Sequence, residues 1–361
     1  MNSKFSRRSF MKAAGLSLAG LAFRPFQGFS TAQHAYLSGD FQPTDRLGRV
    51  LEPQLEIKSR PDENSPTLGT YNVDDVVLWY GQAVGPKLNY YAQRYIETPD
   101  GYVYAPYLQP VRDQPNQPLA ALPQPEGMWV EVTVPYVDLV VANPPARSPW
   151  LGYTPQPRLY FSQIMWVDGI QTNESGQIVY HVKERYGSYG DEFWADAQAF
   201  RPLSQEEITP IQPEVEDKLV VVNVNYQTLS CLENGKEVYF CRVSTGPQVK
   251  NNDSNRESWA TPLGRHTIWR KMISVHMTGG TTGGGYDLPG IGWTTLFSGQ
   301  GMAIHSTFWH NSYGVPKSHG CVNASPDDAK WIFRWTMPVT PIEPGDITHQ
   351  GLGSTKVLVE E

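Results

Sequence analysis

Near its C-terminal end the chain carries Lys317-Ser-His-Gly-Cys-Val-Asn323, a cysteine in a tight turn that runs directly into a helix start. A free thiol has a pKa of about 8.5, so only a few per cent is thiolate at neutral pH, and a useful nucleophile needs a base or cation beside it. Two imidazoles are candidates. His319 lies within the same turn, and His305 lies sixteen positions upstream of Cys321, where the apolar strand Gly301-Met-Ala-Ile-His-Ser306 turns polar. Acyl transfer also needs donors for a developing oxyanion, and the amides of a glycine-containing turn supply them. Together these residues read as a thiol acyl-transfer site with Cys321 as nucleophile and His305 as base. His305, His310, His319 and Cys321 could instead hold zinc. Their spacing fits no paired-ligand pattern, and no carboxylate falls within the motif to act as base, so neither a metal nor a cofactor is expected. His310 reads as an ordinary loop residue. Cys231 and Cys241 flank the hairpin turn Asn234-Gly235. In the register of a two-residue turn Cys231 faces Val238 and Cys241 points to the opposite face, so the two are expected as unbridged, buried strand residues.

The elements that must position this site are mostly strands. Of 361 residues, 32 are Gly and 30 Pro, and charged residues make up only 18%, which suits many short strands and turns. A net charge of −7 leaves no basic field for nucleic acid. One helix is expected from Ser325: Ser325 caps it, Pro326 fits its first position, and Asp327 and Asp328 favour its positive end. Lys218–Tyr226 reads as a strand with aliphatics on both faces over its first half. Glycine-rich Thr278–Gly292 reads as a mobile flap. Upstream, residues 45–112 and 127–204 read as two β units joined by a Pro/Gln-rich linker at 113–126, extended and semi-rigid. The second echoes the first: Tyr90-Tyr-Ala-Gln-Arg-Tyr95 is similar to Tyr180–Tyr186, and Leu108-Gln-Pro110 returns as Phe200-Arg-Pro202. Residues 1–35 open with Ser6-Arg-Arg-Ser-Phe-Met-Lys12 and an apolar run of about eleven residues, too short for the ~20 needed to span a bilayer. Paired arginines before such a run resemble a twin-arginine export signal, and no cysteine sits near it for a lipid anchor.

These residues match a family. From about Asp217 to Val359 the chain resembles the L,D-transpeptidase (YkuD-type) catalytic domain, through four motifs in order: Val243-Ser-Thr-Gly246, Thr261-Pro-Leu-Gly264, Ala303-Ile-His-Ser306 and Ser318-His-Gly-Cys-Val-Asn323. Gly101-Tyr-Val-Tyr-Ala-Pro-Tyr-Leu108 resembles the closing strand and short turn of bacterial Src-homology-3-like barrels. The resemblances imply a mainly β chain: two small Src-homology-3-like β-barrels, then a YkuD-type β-sandwich catalytic domain over 216–361 with one main helix.

The roles below are those the resemblance implies. Cys321 attacks a peptidoglycan stem tetrapeptide, releases D-alanine, and forms a thioester that an acceptor amine resolves into a 3→3 cross-link. The Ser306 carbonyl orients His305, the amides of His319, Gly320 and Cys321 serve the oxyanion, and His319 shapes the turn. Trp309, Tyr286, Trp293, Ser318 and Asn323 are expected around the substrate. Where many members carry Arg two positions after the cysteine, Asn323 stands here, leaving Arg265 and Lys317 as candidates to meet a substrate carboxylate. Donor and acceptor stem peptides are the expected partners, with glycan strands on the barrels as a further one. The location is the periplasm or cell wall by the twin-arginine route, with an uncleaved signal as a conceivable membrane tether. Two rival readings are a carboxypeptidase of the same family, in which water resolves the thioester, and a non-catalytic wall-binding protein.

Overall fold

The structure is a computed structural model that describes residues 46–89, 92–154, 156–248, 259–279, 285–349 and 351–361. The export-type segment 1–35 and the tip of the glycine-rich stretch lie outside the described residues. The chain is mainly β, with two α-helices among the described residues. None of its described helices is long and apolar enough to cross a membrane.

The first unit comprises β1 (Leu47–Val50), β2 (Gln54–Lys58), β3 (Thr67–Asn72), β4 (Val76–Leu78), β5 (Gly81–Asn89), β6 (Ala92–Thr98), β7 (Gly101–Tyr104) and β8 (Leu108–Val111), with a 3-10 turn at Ala105–Tyr107. The second comprises β9 (Met128–Val132), β10 (Tyr136–Val141), the short helix α1 (Pro149–Tyr153), β11 (Arg158–Tyr160), β12 (Ile164–Thr172), β13 (Ile178–Lys183), β14 (Glu192–Asp196) and β15 (Phe200–Pro202), with a 3-10 turn at Ala197–Ala199. Both use one pairing scheme. The first strand pairs with the last in each, β1 with β8 and β9 with β15. The hairpins β2–β3 and β10–β11 correspond, as do the contacts β2–β7 and β10–β14. The meander β5–β6–β7 returns as β12–β13–β14. In the second unit β12 does the work of β4 and β5 together. It pairs with β9 at one end and β13 at the other, with a bulge between Val167 and Gly169. The first unit breaks at Trp79-Tyr80, which leaves sheets of three and five strands where the second has one of seven. The linker is no free spacer: Gln114, Asn116 and Leu119 donate their amides to Thr133, Gln198 and the Tyr180 hydroxyl of the second unit.

Two five-stranded sheets follow. One orders β18-β17-β16-β25-β19, from β16 (Lys218–Asn223), β17 (Thr228–Glu233), β18 (Lys236–Arg242), β19 (Gly264–Thr267) and β25 (Lys356–Glu360). The other orders β23-β22-β21-β20-β24, from β20 (Arg270–Gly279), β21 (Tyr286–Leu296), β22 (Ala303–Ser306), β23 (Val322–Ala324) and β24 (Asp346–Thr348). They share a core that takes in Val220, Val222, Trp293, Ile304, Val322 and, from helix α2 (Pro326–Trp335), Ile332 and Phe333. The Ser325 hydroxyl accepts the Asp328 amide at the helix start.

Three sequence expectations change here. β16 buries alternate residues only, Val220 and Val222, and leaves Leu219 and Val221 half-exposed. A bulge between Cys231 and Leu232 shifts the β17–β18 register, so Tyr239, not Val238, faces Cys231, and Leu229 faces Cys241. Both thiols therefore sit on one buried face, yet both are free. The glycine-rich stretch expected as a flap is, from Tyr286, a strand buried over Pro289–Thr295. Its glycines make room rather than flexibility: a Cβ on Gly292 would lie 2.7 Å from Ile164 of the second unit.

Candidate active site

β22 and β23 run parallel with Ile304 beside Val322, His305 beside Asn323 and Ser306 beside Ala324. Because side chains alternate, Ile304 and Val322 enter the core and His305 and Asn323 face the other way. Cys321, one residue before β23, shares the face of Asn323 and so lies diagonally across from His305. The far side of β23 is held by Ser244, which exchanges two backbone hydrogen bonds of 2.9 Å with Asn323. The turn before Cys321 is tied at several points. Ser318 Oγ donates to the Cys321 carbonyl at 2.5 Å and accepts the Gly320 amide at 3.1 Å. Lys317 and Ser318 amides donate to the Thr245 carbonyl, and Gln227 binds both the amide and hydroxyl of Thr245. Gly320 has φ +112°, and a Cβ there would meet Met302 at 2.9 Å. A Cβ on Gly246 would lie 1.7 Å from the Trp259 carbonyl, so this glycine allows a backbone crossing. The motifs around Gly246, Thr261, His305 and Cys321 thus build one cradle, with the Thr261 hydroxyl accepting the Gly246 amide at 2.9 Å.

His305 is buried, and burial pushes it down to about 4, against a hydrogen bond of 2.9 Å from Nδ1 to the Ser306 carbonyl. Nδ1 carries the hydrogen in that bond, which leaves Nε2 free to take a proton. Burial pushes the Cys321 thiol up to about 11, opposed by the backbone amide of Ala303. Both groups are therefore neutral at rest, the thiol protonated and the imidazole with an unprotonated Nε2. Trp309 stacks on His305 with ring centres 5.8 Å apart. Burial also keeps His310 neutral, down at about 3. Its Nδ1 accepts the Ser312 amide, so Nε2 carries the hydrogen, and Asn323, 2.8 Å away, must present its amide oxygen. His310 does lie in the loop after β22, but buried and hydrogen-bonded against β23.

Cys321 is half-buried and lines a cavity of about 530 Å³. His319, Tyr286, Trp259, Met302 and His276 line it too, with Tyr186 and Gly187 arriving from the second unit. His319 lies between Trp259 and Tyr286, ring centres 4.2 and 5.3 Å away. Its Nε2 is buried without a hydrogen-bond partner among the described residues.

Other residues expected around the substrate sit elsewhere. Trp293 is 1% exposed and packs edge-on against Phe333 in the core, from a stretch of β21 that is buried on both faces. Ser318 and Asn323 are buried as struts of the turn and strand. Trp309 faces a separate cavity of about 150 Å³ against the first unit, which Lys317 also lines. Arg265 is exposed on β19, away from the cavity. Arg270 does reach the cavity but is paired with Asp346 at 2.7 Å.

Sequence reasoning missed Trp259 and His276. His276 is a buried imidazole held by Glu184 of the second unit at 2.5 Å and by Asp287. Burial alone would strip its proton, but the two carboxylates outweigh burial and raise its pKa. Only the alternation of Met272–Met277 hinted at a side chain facing inward there.

Residues 217–343 match the sequence profile of the YkuD family, described as the L,D-transpeptidase catalytic domain. L,D-transpeptidase 1 of Mycobacterium tuberculosis is 30% identical over 139 residues, covering 36% of this chain. The chain spans about half, 51%, of the length of that relative. Among solved structures, an L,D-transpeptidase from Xylanimonas cellulosilytica is 22% identical, covering 45% of this chain and 65% of its own, with a TM-score of 0.28. The catalytic domain of the Enterococcus faecium enzyme is 23% identical, covering 40% and 97%, with a TM-score of 0.30.

Proposed function

On the premise that residues 217–343 are a YkuD-type L,D-transpeptidase catalytic domain, we propose that the chain is a cysteine acyltransferase of peptidoglycan. Cys321 adds to the carbonyl between the third residue of a stem tetrapeptide and its terminal D-alanine. His305 Nε2 takes the thiol proton and returns it to the leaving amine of D-alanine. An amine of a neighbouring stem then attacks the thioester, which releases the thiol and makes a 3→3 cross-link. The amides of His319 and Cys321 serve the oxyanion, since the Gly320 amide is already given to Ser318. The observation that carries this reading is a half-buried cysteine at a 530 Å³ cavity, one residue before the strand that pairs with the strand of an imidazole whose Nδ1–H is committed to a backbone carbonyl. Such an acyltransferase works outside the cytoplasm, which fits the paired arginines at the N-terminus.

The test is incubation with tetrapeptide-rich peptidoglycan followed by muropeptide analysis. Dimers with 3→3 links from wild type, and none from Cys321→Ala, are expected. Tripeptides alone would mean that water resolves the thioester. Neither product would sink the acyl-transfer reading.

A further inference from the structure

The meander that the two units share closes differently in each. In the first unit β6 ends at Thr98 and β7 begins at Gly101, with two residues between them. In the second, β13 ends at Lys183 and β14 begins at Glu192, so eight residues, 184–191, fill the equivalent place. Two residues suffice for a hairpin, so the extra length is not needed to reverse the chain. Its first four residues meet the catalytic domain one after another. Glu184 takes His276 at 2.5 Å and the Gly290 amide at 2.9 Å. Arg185 donates two hydrogen bonds to Glu343, at 2.7 and 2.5 Å. Tyr186 donates its hydroxyl to the Pro344 carbonyl at 2.9 Å, and its own carbonyl accepts the His276 amide, also at 2.9 Å. Gly187 has φ +74°, and a Cβ there would lie 2.5 Å from the His276 carbonyl, so a glycine is what lets the two backbones pass this closely.

The place these residues reach is the 530 Å³ cavity of Cys321, which Tyr186 and Gly187 line. Pockets form preferentially where domains meet, and binding residues concentrate on loops held by a rigid scaffold. Arg270 and His276 on the same lining are already paired. Arg270 donates to Asp346 at 2.9 and 2.7 Å, and His276 is held between Glu184 and Asp287. Beside them the lining offers the half-buried Tyr186 ring, Trp259 and Met302, surfaces for aromatic and van der Waals contact with a peptide. The Tyr186 ring is fixed before any ligand arrives, by its hydroxyl, by its own main chain and by Trp129, with ring centres 6.3 Å apart. A contact surface ordered in advance loses little freedom on binding.

We propose that the 184–187 turn of the second unit is part of the active site, with the Tyr186 ring as the wall against which the donor stem peptide binds. That the donor is a peptidoglycan stem rests on the function proposed above; that Tyr186 meets whatever enters the Cys321 cavity rests on the lining alone. The second unit then sets how tightly a donor is held, while Cys321 and His305 set how fast it reacts.

The probe is a disaccharide tetrapeptide, titrated calorimetrically into full-length Cys321→Ala. Adding Tyr186→Ala should weaken its binding about tenfold, as for the loss of one aromatic contact. Tyr186→Phe, which keeps the ring, should bind within about twofold of the parent. Should Tyr186→Ala melt early, Tyr186→Leu, which keeps most of the buried bulk, should still weaken binding about fivefold. With Cys321 intact, Tyr186→Ala should raise the KM for release of D-alanine by a similar factor at the same kcat, the mark of binding shared by ground and transition states. Alkylation of Cys321 by iodoacetamide, a reagent too small to need the wall, should not slow. Equal affinity in Tyr186→Ala and its parent overturns the proposal, as does a parent that does not bind the probe. Alkylation that slows as much as binding falls also overturns it, because Tyr186 would then support the fold alone. If Tyr186→Ala weakens the probe but wild-type enzyme releases no D-alanine, the acyl-transfer reading fails and the wall stands.

Discussion

Replacing Arg49 with Met tests whether the first unit holds the catalytic loop. Arg49 is a buried guanidinium on β1 that spends its three nitrogens across the molecule. Nε donates to Gln109 at 2.9 Å, Nη1 to Asp74 at 2.7 Å and Nη2 to the Phe308 carbonyl at 2.9 Å. It also lies 3.8 Å over the Tyr160 ring, which stacks on Phe308. Breaking a buried ion pair from one side costs about 3–5 kcal/mol. Asp74 would keep Arg158 at 3.0 Å and the Tyr160 hydroxyl at 3.2 Å, which favours the low end. The stranded Phe308 carbonyl adds part of the roughly 1–3 kcal/mol for an unpaired buried polar group. A loss of about 3–4 kcal/mol follows, read by urea unfolding with two probes whose transitions must coincide in so large a chain. Asp74→Asn in the same background should cost less than its own single loss, because the pair is already broken. A loss below about 0.5 kcal/mol, the range of ordinary surface changes, would refute the clamp. The functional consequence is separate. Phe308 precedes Trp309, which stacks on His305, so acylation of Cys321 by a stem tetrapeptide, the step proposed above and read as release of D-alanine, should slow by about ten- to a hundredfold. Lost stability with an unchanged acylation rate would show that the loop is anchored but the imidazole is not.

The remaining predictions concern the site itself. With the thiol held up at about 11 and His305 down at about 4, alkylation of Cys321 by iodoacetamide should keep climbing past pH 9; a plateau at pH 6–7 would reveal a standing thiolate–imidazolium pair. The same depressed histidine makes the unfolded chain bind more protons between about pH 4 and 6.5, so its contribution to stability is present above that window and lost as pH falls through it. Melting temperature measured from pH 7 to 4 should fall, and His305→Asn should flatten the fall. Glu184→Gln removes one of the two carboxylates on His276; because that histidine's pKa is raised, the stability lost, about 2–3 kcal/mol, should be largest below pH 6.5 and shrink as pH rises, with a pH-independent loss counting against the pairing. Gly320→Ala, at φ +112° and 2.9 Å from Met302, should destabilise the cysteine turn by more than about 1 kcal/mol, and an unchanged melting temperature would show the turn to be softer than drawn.

What the sequence disclosed was local. The cysteine turn, its glycine and the capped helix after it are set by neighbours within a few residues, and turn chemistry and caps are readable at that range. Register is not. One extra residue in β18, Val238, opposite the step from Cys231 to Leu232, turns Cys241 onto the face of Cys231, and nothing in the hairpin's Asn234-Gly235 announces it. Glycine also misleads. Gly290 and Gly292 look like a flexible run, but their missing side chains admit Met165 and Ile164 of the second unit. The walls of the Cys321 cavity were the least legible part, because Tyr186, Trp259 and His276 come from segments far apart in the chain and carry no motif of their own.

The pairing scheme that the two units share places one polar pair in each at the same register. Arg49 and Gln109 face each other on the first and last strands of the first unit. Glu131 and Arg201 hold the equivalent register in the second, by the match of Leu108-Gln-Pro110 to Phe200-Arg-Pro202. Each pair is polar and hydrogen-bonded, and each reaches into the catalytic domain at a different place. Arg49 ends on the loop that follows His305, through Phe308. Arg201 ends on helix α2 behind the catalytic strand, through Glu207 and then Lys330 at 2.5 Å. Corresponding positions of the two units thus reach out twice, once to the loop after His305 and once to the helix that packs on β21 and β22. The two units thus meet the Cys321 domain by buried or half-buried hydrogen bonds at two places, the Phe308 carbonyl and Lys330, so the effect of a change at either pair is expected to run through these bonds.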